Sequence, residues 1–136
     1  MTKKQTAMRF LLVGAVNTVI DFGSLFLLVS LGSQPLVANT ISTGVAFTFS
    51  FFANRRYTFQ AASGSVARQM TLFIMVTLFG LWAIQPVVIW LISPLITAAF
   101  HGGLSTSWVL LMAKAAATAI TLIWNYVLYA KVVFRP

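Results

Sequence analysis

The sequence predicts an all-α membrane protein of four transmembrane helices, built as two hairpins that form a parallel repeat. Three observations predict it. The 136 residues are 60% hydrophobic and only 7% charged, with a mean hydropathy of +0.93, whereas a soluble domain needs about a quarter charged residues to face water. Four apolar runs have lengths near the ~20 residues that cross a bilayer. The basic residues cluster at the ends of those runs, as helix ends meeting anionic headgroups require.

The first run, residues 10–31, follows Lys3, Lys4 and Arg9. It is longer than a signal-peptide core and no small-x-small cleavage site follows it, so it reads as a span that stays. Gly32-Ser33-Gln34-Pro35 ends it in a tight turn, since Gly and Pro punctuate helices. The second span covers 36–53. A polar connection, residues 54–69, contains Ala-Ala-Ser-Gly-Ser and is expected to be mobile or interfacial. The third span covers 70–92, with a kink expected at Pro86. Residues 93–107 read as the longest outer loop, with a short surface helix over 94–100. The fourth span covers 108–129. All four belong to one transmembrane domain, residues 1–136.

Of the nine Lys and Arg residues, eight flank the spans on one side: Lys3, Lys4, Arg9, Arg55, Arg56, Arg68, Lys131 and Arg135. Only Lys114 lies inside a span. Positive residues stay on the cytoplasmic side, so both termini are expected there. Tyr57, Phe59, Tyr129 and Phe134 fall at the inner interface, and Trp90 and Trp108 at the outer one. Trp82 and Trp124 lie deeper, as packing residues.

The second and fourth spans align at an offset of 75: Ala38 with Ala113, Thr43 with Thr118, Arg56 with Lys131, and Phe59 with Phe134. The first and third align through Phe10 and Phe73. Each half is then a hairpin entering and leaving on one side, and the two are related by an axis along the membrane normal.

Helical spacing gathers small and polar residues on one face of each span. These are Gly14, Asn17, Asp21 and Ser24 in the first, and Asn39, Thr43, Ala46 and Ser50 in the second. Thr77 and Gly80 follow in the third, and Lys114, Thr118, Thr121 and Asn125 in the fourth. For Asn17, Asn39 and Asn125 the plain reading is a polar seam between helices, each hydrogen bond contributing ~0.6 kcal/mol. Asp21 and Lys114 differ, because a charge at a helix centre costs about 2.5–3.5 kcal/mol on insertion scales and needs a partner or a wet cavity. Helical rise puts Asp21 ~18 Å and Lys114 ~25 Å from the inner interface, within reach of a lysine stem if their helices are neighbours. A structural ion pair and a functional site that opens to a phosphate are both consistent with this. Arg55 and Arg56 read equally as topology anchors or as a phosphate fork.

One carboxylate cannot supply an acid–base pair. With one His and no Cys, no triad, zinc site or other metal site is available. No Gly-rich phosphate loop is present. No catalytic residues, cofactor, metal or nucleic-acid partner are expected. The placement of the basic residues at span ends argues against nucleic acid.

Arg9-Phe10-Leu11-Leu12-Val13-Gly14 with Asn17 and Asp21, Asn54-Arg55-Arg56-Tyr57-Thr58-Phe59 closing the second span, and Ala113-Lys114 opening the fourth are now recognisable. Together they resemble the GtrA-like family over nearly the whole chain. The second copy of the second-span motif, Tyr129-Ala130-Lys131-Val132-Val133-Phe134, keeps the basic residue and the final Phe. The resemblance implies a bacterial inner-membrane protein of cell-surface polysaccharide synthesis. It implies movement of a polyprenyl-phosphate lipid such as undecaprenyl phosphate, bare or sugar-linked, with Arg55, Arg56, Lys114 and Lys131 as phosphate contacts. An alternative is a membrane anchor recruiting a glycosyltransferase. Another is a small multidrug exporter using Asp21, which fits poorly with Lys114 and the Arg pair. Four helices enclose little volume, so a homo-oligomer is expected.

Overall fold

A computed structural model describes residues 1–135, all of the regular structure being helical. The elements are α1 (Lys3–Ser30), α2 (Pro35–Ala53), α3 (Val66–Phe79), α4 (Gln85–Ala99) and α5 (Thr106–Leu128). Three π-helical turns accompany them. Asn54–Thr58 prolongs α2, Gly80–Ile84 joins α3 to α4, and Tyr129–Val133 prolongs α5. Four continuous rods are long and apolar enough to cross a membrane: Lys3–Ser30, Pro35–Thr58, Val66–Ala99 and Thr106–Val133. The chain divides into two compact units, one ending at Gly64 and the other beginning at Ser65. Each is a helical hairpin.

Local chemistry sets the ends. Thr2 caps α1 through a reciprocal box, its Oγ1 accepting from the Gln5 N–H and the Gln5 side chain accepting from the Thr2 N–H, so two orphan donors are satisfied. Gly32 at φ 92 closes α1: its N–H reaches the Val29 carbonyl and the Ser33 N–H the Leu28 carbonyl. That is a left-handed cap, for which glycine carries no Cβ penalty. Pro35 opens α2 at a position where no N–H is needed. The same type of cap closes α4, with His101 at φ 50, so this histidine is a helix terminator.

The third rod is longer than the sequence pattern predicts. Pro94 lies inside α4 without ending it, so residues 93–99 continue the helix and no separate surface helix forms. Proline removes one backbone bond, the one that the Trp90 carbonyl would accept, and a membrane helix tolerates such a proline. The neighbouring hydroxyls turn back on their own helix, Ser93 donating to the Ile89 carbonyl and Thr97 to the Ser93 carbonyl. The disturbance expected at Pro86 takes the form of the π-helical turn just before it, a local widening that accommodates the missing donor. The polar connection also contracts. Helix runs through Thr58 and resumes at Val66, leaving 59–65.

Within the first hairpin α2 buries Ala38, Ser42, Ala46 and Phe51, against Phe10 and Val13 of α1. Within the second, α5 buries Val109, Ala113, Ala117 and Thr121, and α3 buries Phe73 and Val76. Three of the four buried positions coincide at the offset of 75 for α2 and α5: Ala38 with Ala113, Ser42 with Ala117 and Ala46 with Thr121. At an offset of 63, Phe10 and Val13 of α1 match Phe73 and Val76 of α3. Small residues four apart let helix backbones approach, which is the main source of helix association where lipid removes the hydrophobic drive. Gly80 shows how close that approach is. A Cβ there would sit 2.8 Å from Thr121 Cγ2.

Candidate functional site

The cations of the first hairpin gather where its chain enters and leaves. Phe10 and Phe59 meet with ring centres 6.4 Å apart, which brings the start of α1 beside the end of α2. Arg9 crosses between them. Its Nη1 donates to the Tyr57 carbonyl at 2.9 Å, and its guanidinium carbon lies 4.5 Å from the centre of the Tyr57 ring, a geometry that stabilises a cation over an aromatic face.

Arg55 and Arg56 are neighbours in sequence with different surroundings. Arg55 is 6% exposed, and its Nη2 donates to the carbonyls of Ala62 at 2.6 Å and Gly64 at 2.8 Å. Its own carbonyl accepts from the Ala61 N–H. This arginine orders the connection after α2. Arg56 is exposed. On either side of the pair, Asn54 and Thr58 are buried, and the Asn54 Oδ1 and Thr58 Oγ1 have no hydrogen-bond partner among the described residues.

Just inside this end, α1 and α2 leave a groove of about 280 Å3 lined by Leu12, Val13, Val16, Phe49, Ala53 and Tyr57. Deeper along the hairpin, the Thr43 hydroxyl faces Asp21 Oδ1 at 3.5 Å. Asn17 presents a buried Oδ1 without a partner among the described residues, and Asn39 is exposed. The polar stripe read on α2 therefore lies beside the packed face, which is made by Ala38, Ser42 and Ala46.

In the second hairpin the corresponding end is closed by aromatic rings. Phe73 stacks on Tyr129 at 4.6 Å, Phe134 packs against both, and the Thr77 and Tyr129 hydroxyls are hydrogen-bonded. Lys131 is exposed beyond this cluster. Trp124 stacks on Phe79 at 5.3 Å and donates to the Val76 carbonyl at 3.2 Å, as a packing residue should. Trp82 instead is 76% exposed within its hairpin. Asn125 has a buried Oδ1 near Gly80 with no hydrogen-bond partner among the described residues. Lys114 is exposed on α5. It belongs to the second hairpin and Asp21 to the first.

Sequence reasoning placed Arg9 and Tyr57 in the recurring motifs, as a flanking charge and an interfacial aromatic, but not among the phosphate contacts. The signal that could have singled them out is a break in the repeat: Leu72 stands at the position equivalent to Arg9, and Val132 at that of Tyr57. No group of three His, Cys, Asp or Glu side chains that could hold a metal occurs among the described residues.

A comparison with curated proteins found no match. Residues 9–134 match the family described as GtrA/DPMS, transmembrane domain, which points to a multi-pass membrane protein of polysaccharide or glycolipid synthesis. The match runs from Arg9 to Phe134 and takes in both hairpins with their cationic ends, so the chain belongs to the GtrA/DPMS transmembrane-domain family.

Proposed function

We propose that this protein moves a polyprenyl-phosphate lipid, bare or sugar-linked, across the bacterial inner membrane for cell-surface polysaccharide synthesis or modification. The observation that carries this reading is the end of the first hairpin. Arg9 and Arg56 are accessible there beside apolar helix surface, and the chain's single acid, Asp21, lies about 18 Å away by helical rise. Cations without a carboxylate to neutralise them attract an anionic headgroup, each contributing about 1 kcal/mol near an anionic surface. A guanidinium adds a planar fork matched to phosphate. On this reading Arg56 meets the phosphate as it enters, Arg55 shapes the loop behind it, and Lys131 provides the weaker counterpart on the second hairpin. Lys114, far from that end along α5, meets the phosphate toward the opposite leaflet. Both termini lie in the cytoplasm, because the flanking Lys and Arg residues favour that side. The protein performs no catalysis of its own, needs no cofactor, and works as a homo-oligomer.

A second reading is a membrane anchor that recruits a glycosyltransferase and transports nothing. It is favoured by α4, which buries no residue within its hairpin and so has a whole face available to a partner helix. Purified protein in liposomes, given a labelled polyprenyl phosphate, separates the two. Movement of label between leaflets is expected, and it should fall in Arg56→Lys, which keeps the charge but loses the fork. No movement above protein-free liposomes would leave the anchor.

A further inference from the structure

The two hairpins repeat one another in their buried residues, so the positions where they differ are informative. The groove of the first hairpin is lined by Leu12, Val13, Val16, Phe49, Ala53 and Tyr57. At the offsets of 63 and 75 the second hairpin has Met75, Val76, Phe79, Trp124, Leu128 and Val132. Val16 is replaced by Phe79, Phe49 by Trp124 and Ala53 by Leu128. The Phe79 and Trp124 rings stack at 5.3 Å, and the Trp124 indole is anchored on the Val76 carbonyl. In the second hairpin, this region is occupied by the protein's own side chains.

We infer that the first hairpin's groove is a chain-binding site, and that it holds the phosphate-proximal isoprenoid segment of the lipid while Arg9 meets the phosphate. This inference rests on the translocation reading and names the part of the protein that grips the chain. The occupant follows from the lining and the lip. Every lining residue is apolar or aromatic, which suits hydrocarbon. Arg9 lies three and four residues before Leu12 and Val13, on the same face of α1. One of its five donors is spent on the Tyr57 carbonyl, and the others have no bond among the described residues, so they remain for an anion. Leu72 and Val132 replace Arg9 and Tyr57 in the second hairpin, so the cation at the lip is lost in the same repeat in which larger side chains stand at the lining positions. At about 280 Å3 the groove is smaller than the ~300–1,000 Å3 of a site enclosing a whole small molecule. It takes a segment of chain and leaves the remainder in the bilayer.

The test uses the full chain in vesicles of phosphatidylethanolamine and phosphatidylglycerol, with a polyprenyl phosphate carrying a photoreactive group near its phosphate. Label is expected within residues 12–16 and 49–57, displaced by unlabelled polyprenyl phosphate and not by an equal amount of added phosphatidylglycerol. Val16→Phe combined with Ala53→Leu installs the side chains of the second hairpin. It should cut first-hairpin labelling by about tenfold or more with no fall in melting temperature. Arg9→Gln should cut labelling without filling the groove, and so decides the matter should the double variant fold poorly. Label on other segments, equal displacement by phosphatidylglycerol, or undiminished labelling in both variants would overturn the inference. Labelling in the groove without movement of lipid between leaflets would support it and remove translocation. Movement at the full rate in the folded, filled variant would do the reverse.

Discussion

Gly80 gives the second hairpin a test with a calculable sign. A Cβ at this position would lie 2.8 Å from Thr121 Cγ2, 3.4 Å from Asn125 Oδ1 and 3.5 Å from Trp124 Cδ1. Thr121 cannot yield cheaply, since it is β-branched, buried and bonded through Oγ1 to the Ala117 carbonyl. Overpacking of this kind costs about 1–3 kcal/mol. Against it, replacing Gly by Ala in a helix interior gains up to about 1 kcal/mol. The net loss for Gly80→Ala is therefore about 0–3 kcal/mol. Gly44 is the control, because nothing lies within 4 Å of a Cβ there, so Gly44→Ala keeps the gain alone. The two variants should differ by about the overpacking term, 1–3 kcal/mol, with Gly80→Ala the less stable. Thr121→Ser removes Cγ2 and keeps the hydroxyl, so it should recover most of the loss when combined with Gly80→Ala. Thermal unfolding in one detergent measures all four proteins. Equal stability of the two alanine variants, or no recovery in the double variant, would refute the close approach of α3 and α5 at this point.

The adjacent arginines should separate by assay. Arg55→Ala removes two bonds from a buried guanidinium to the carbonyls of Ala62 and Gly64, and should cost about 1–3 kcal/mol and speed proteolysis within 59–65. Arg56→Ala should leave stability within about 0.5 kcal/mol while lowering lipid movement; equal stabilities would undo that separation. A reporter active only in the periplasm, fused after the last residue, should stay silent, and activity would reverse the proposed topology. Lys114→Ala should lower lipid movement more than Asp21→Asn, because the amide keeps an acceptor for the Thr43 hydroxyl; the opposite order would remove Lys114 as a phosphate contact.

Much of the architecture could be read from residue order, and the reasons are physical. A bilayer demands long apolar runs, so the four rods were visible, and Ala38, Ala113, Phe59 and Phe134 marked the repeat because both copies kept the same residue. The helix faces were harder. Asn39 and Thr43 carry the polarity that a stripe search detects, but the packed face of α2 is Ala38, Ser42 and Ala46, whose qualification is size. Ser42 pairs with Ala117, and Ala46 with Thr121, in burial and not in identity. Pro94 marks the start of a separate surface helix in the sequence pattern, yet it lies inside α4, because a long apolar helix tolerates the loss of one backbone bond. The groove was illegible for a different reason. It is lined by Val16 and Ala53 where the second hairpin carries the larger Phe79 and Leu128, a difference that means something only once the two hairpins are seen to fold alike.

The π-helical turns bear on the history of the chain. A π turn accommodates one residue more than the α-helix around it, as an insertion would. The turns at Asn54–Thr58 and Tyr129–Val133 stand at the same place in the repeat, 75 residues apart. If one ancestral hairpin gave rise to both halves, that extra residue was already present before the gene doubled. The turn at Gly80–Ile84 has no such twin, because the matching stretch of α1, residues 17–21, is ordinary α-helix. It lies on the half that carries Pro86. The two copies thus differ in backbone as well as in side chains, and the departure falls where one helix must accommodate a proline that the other lacks.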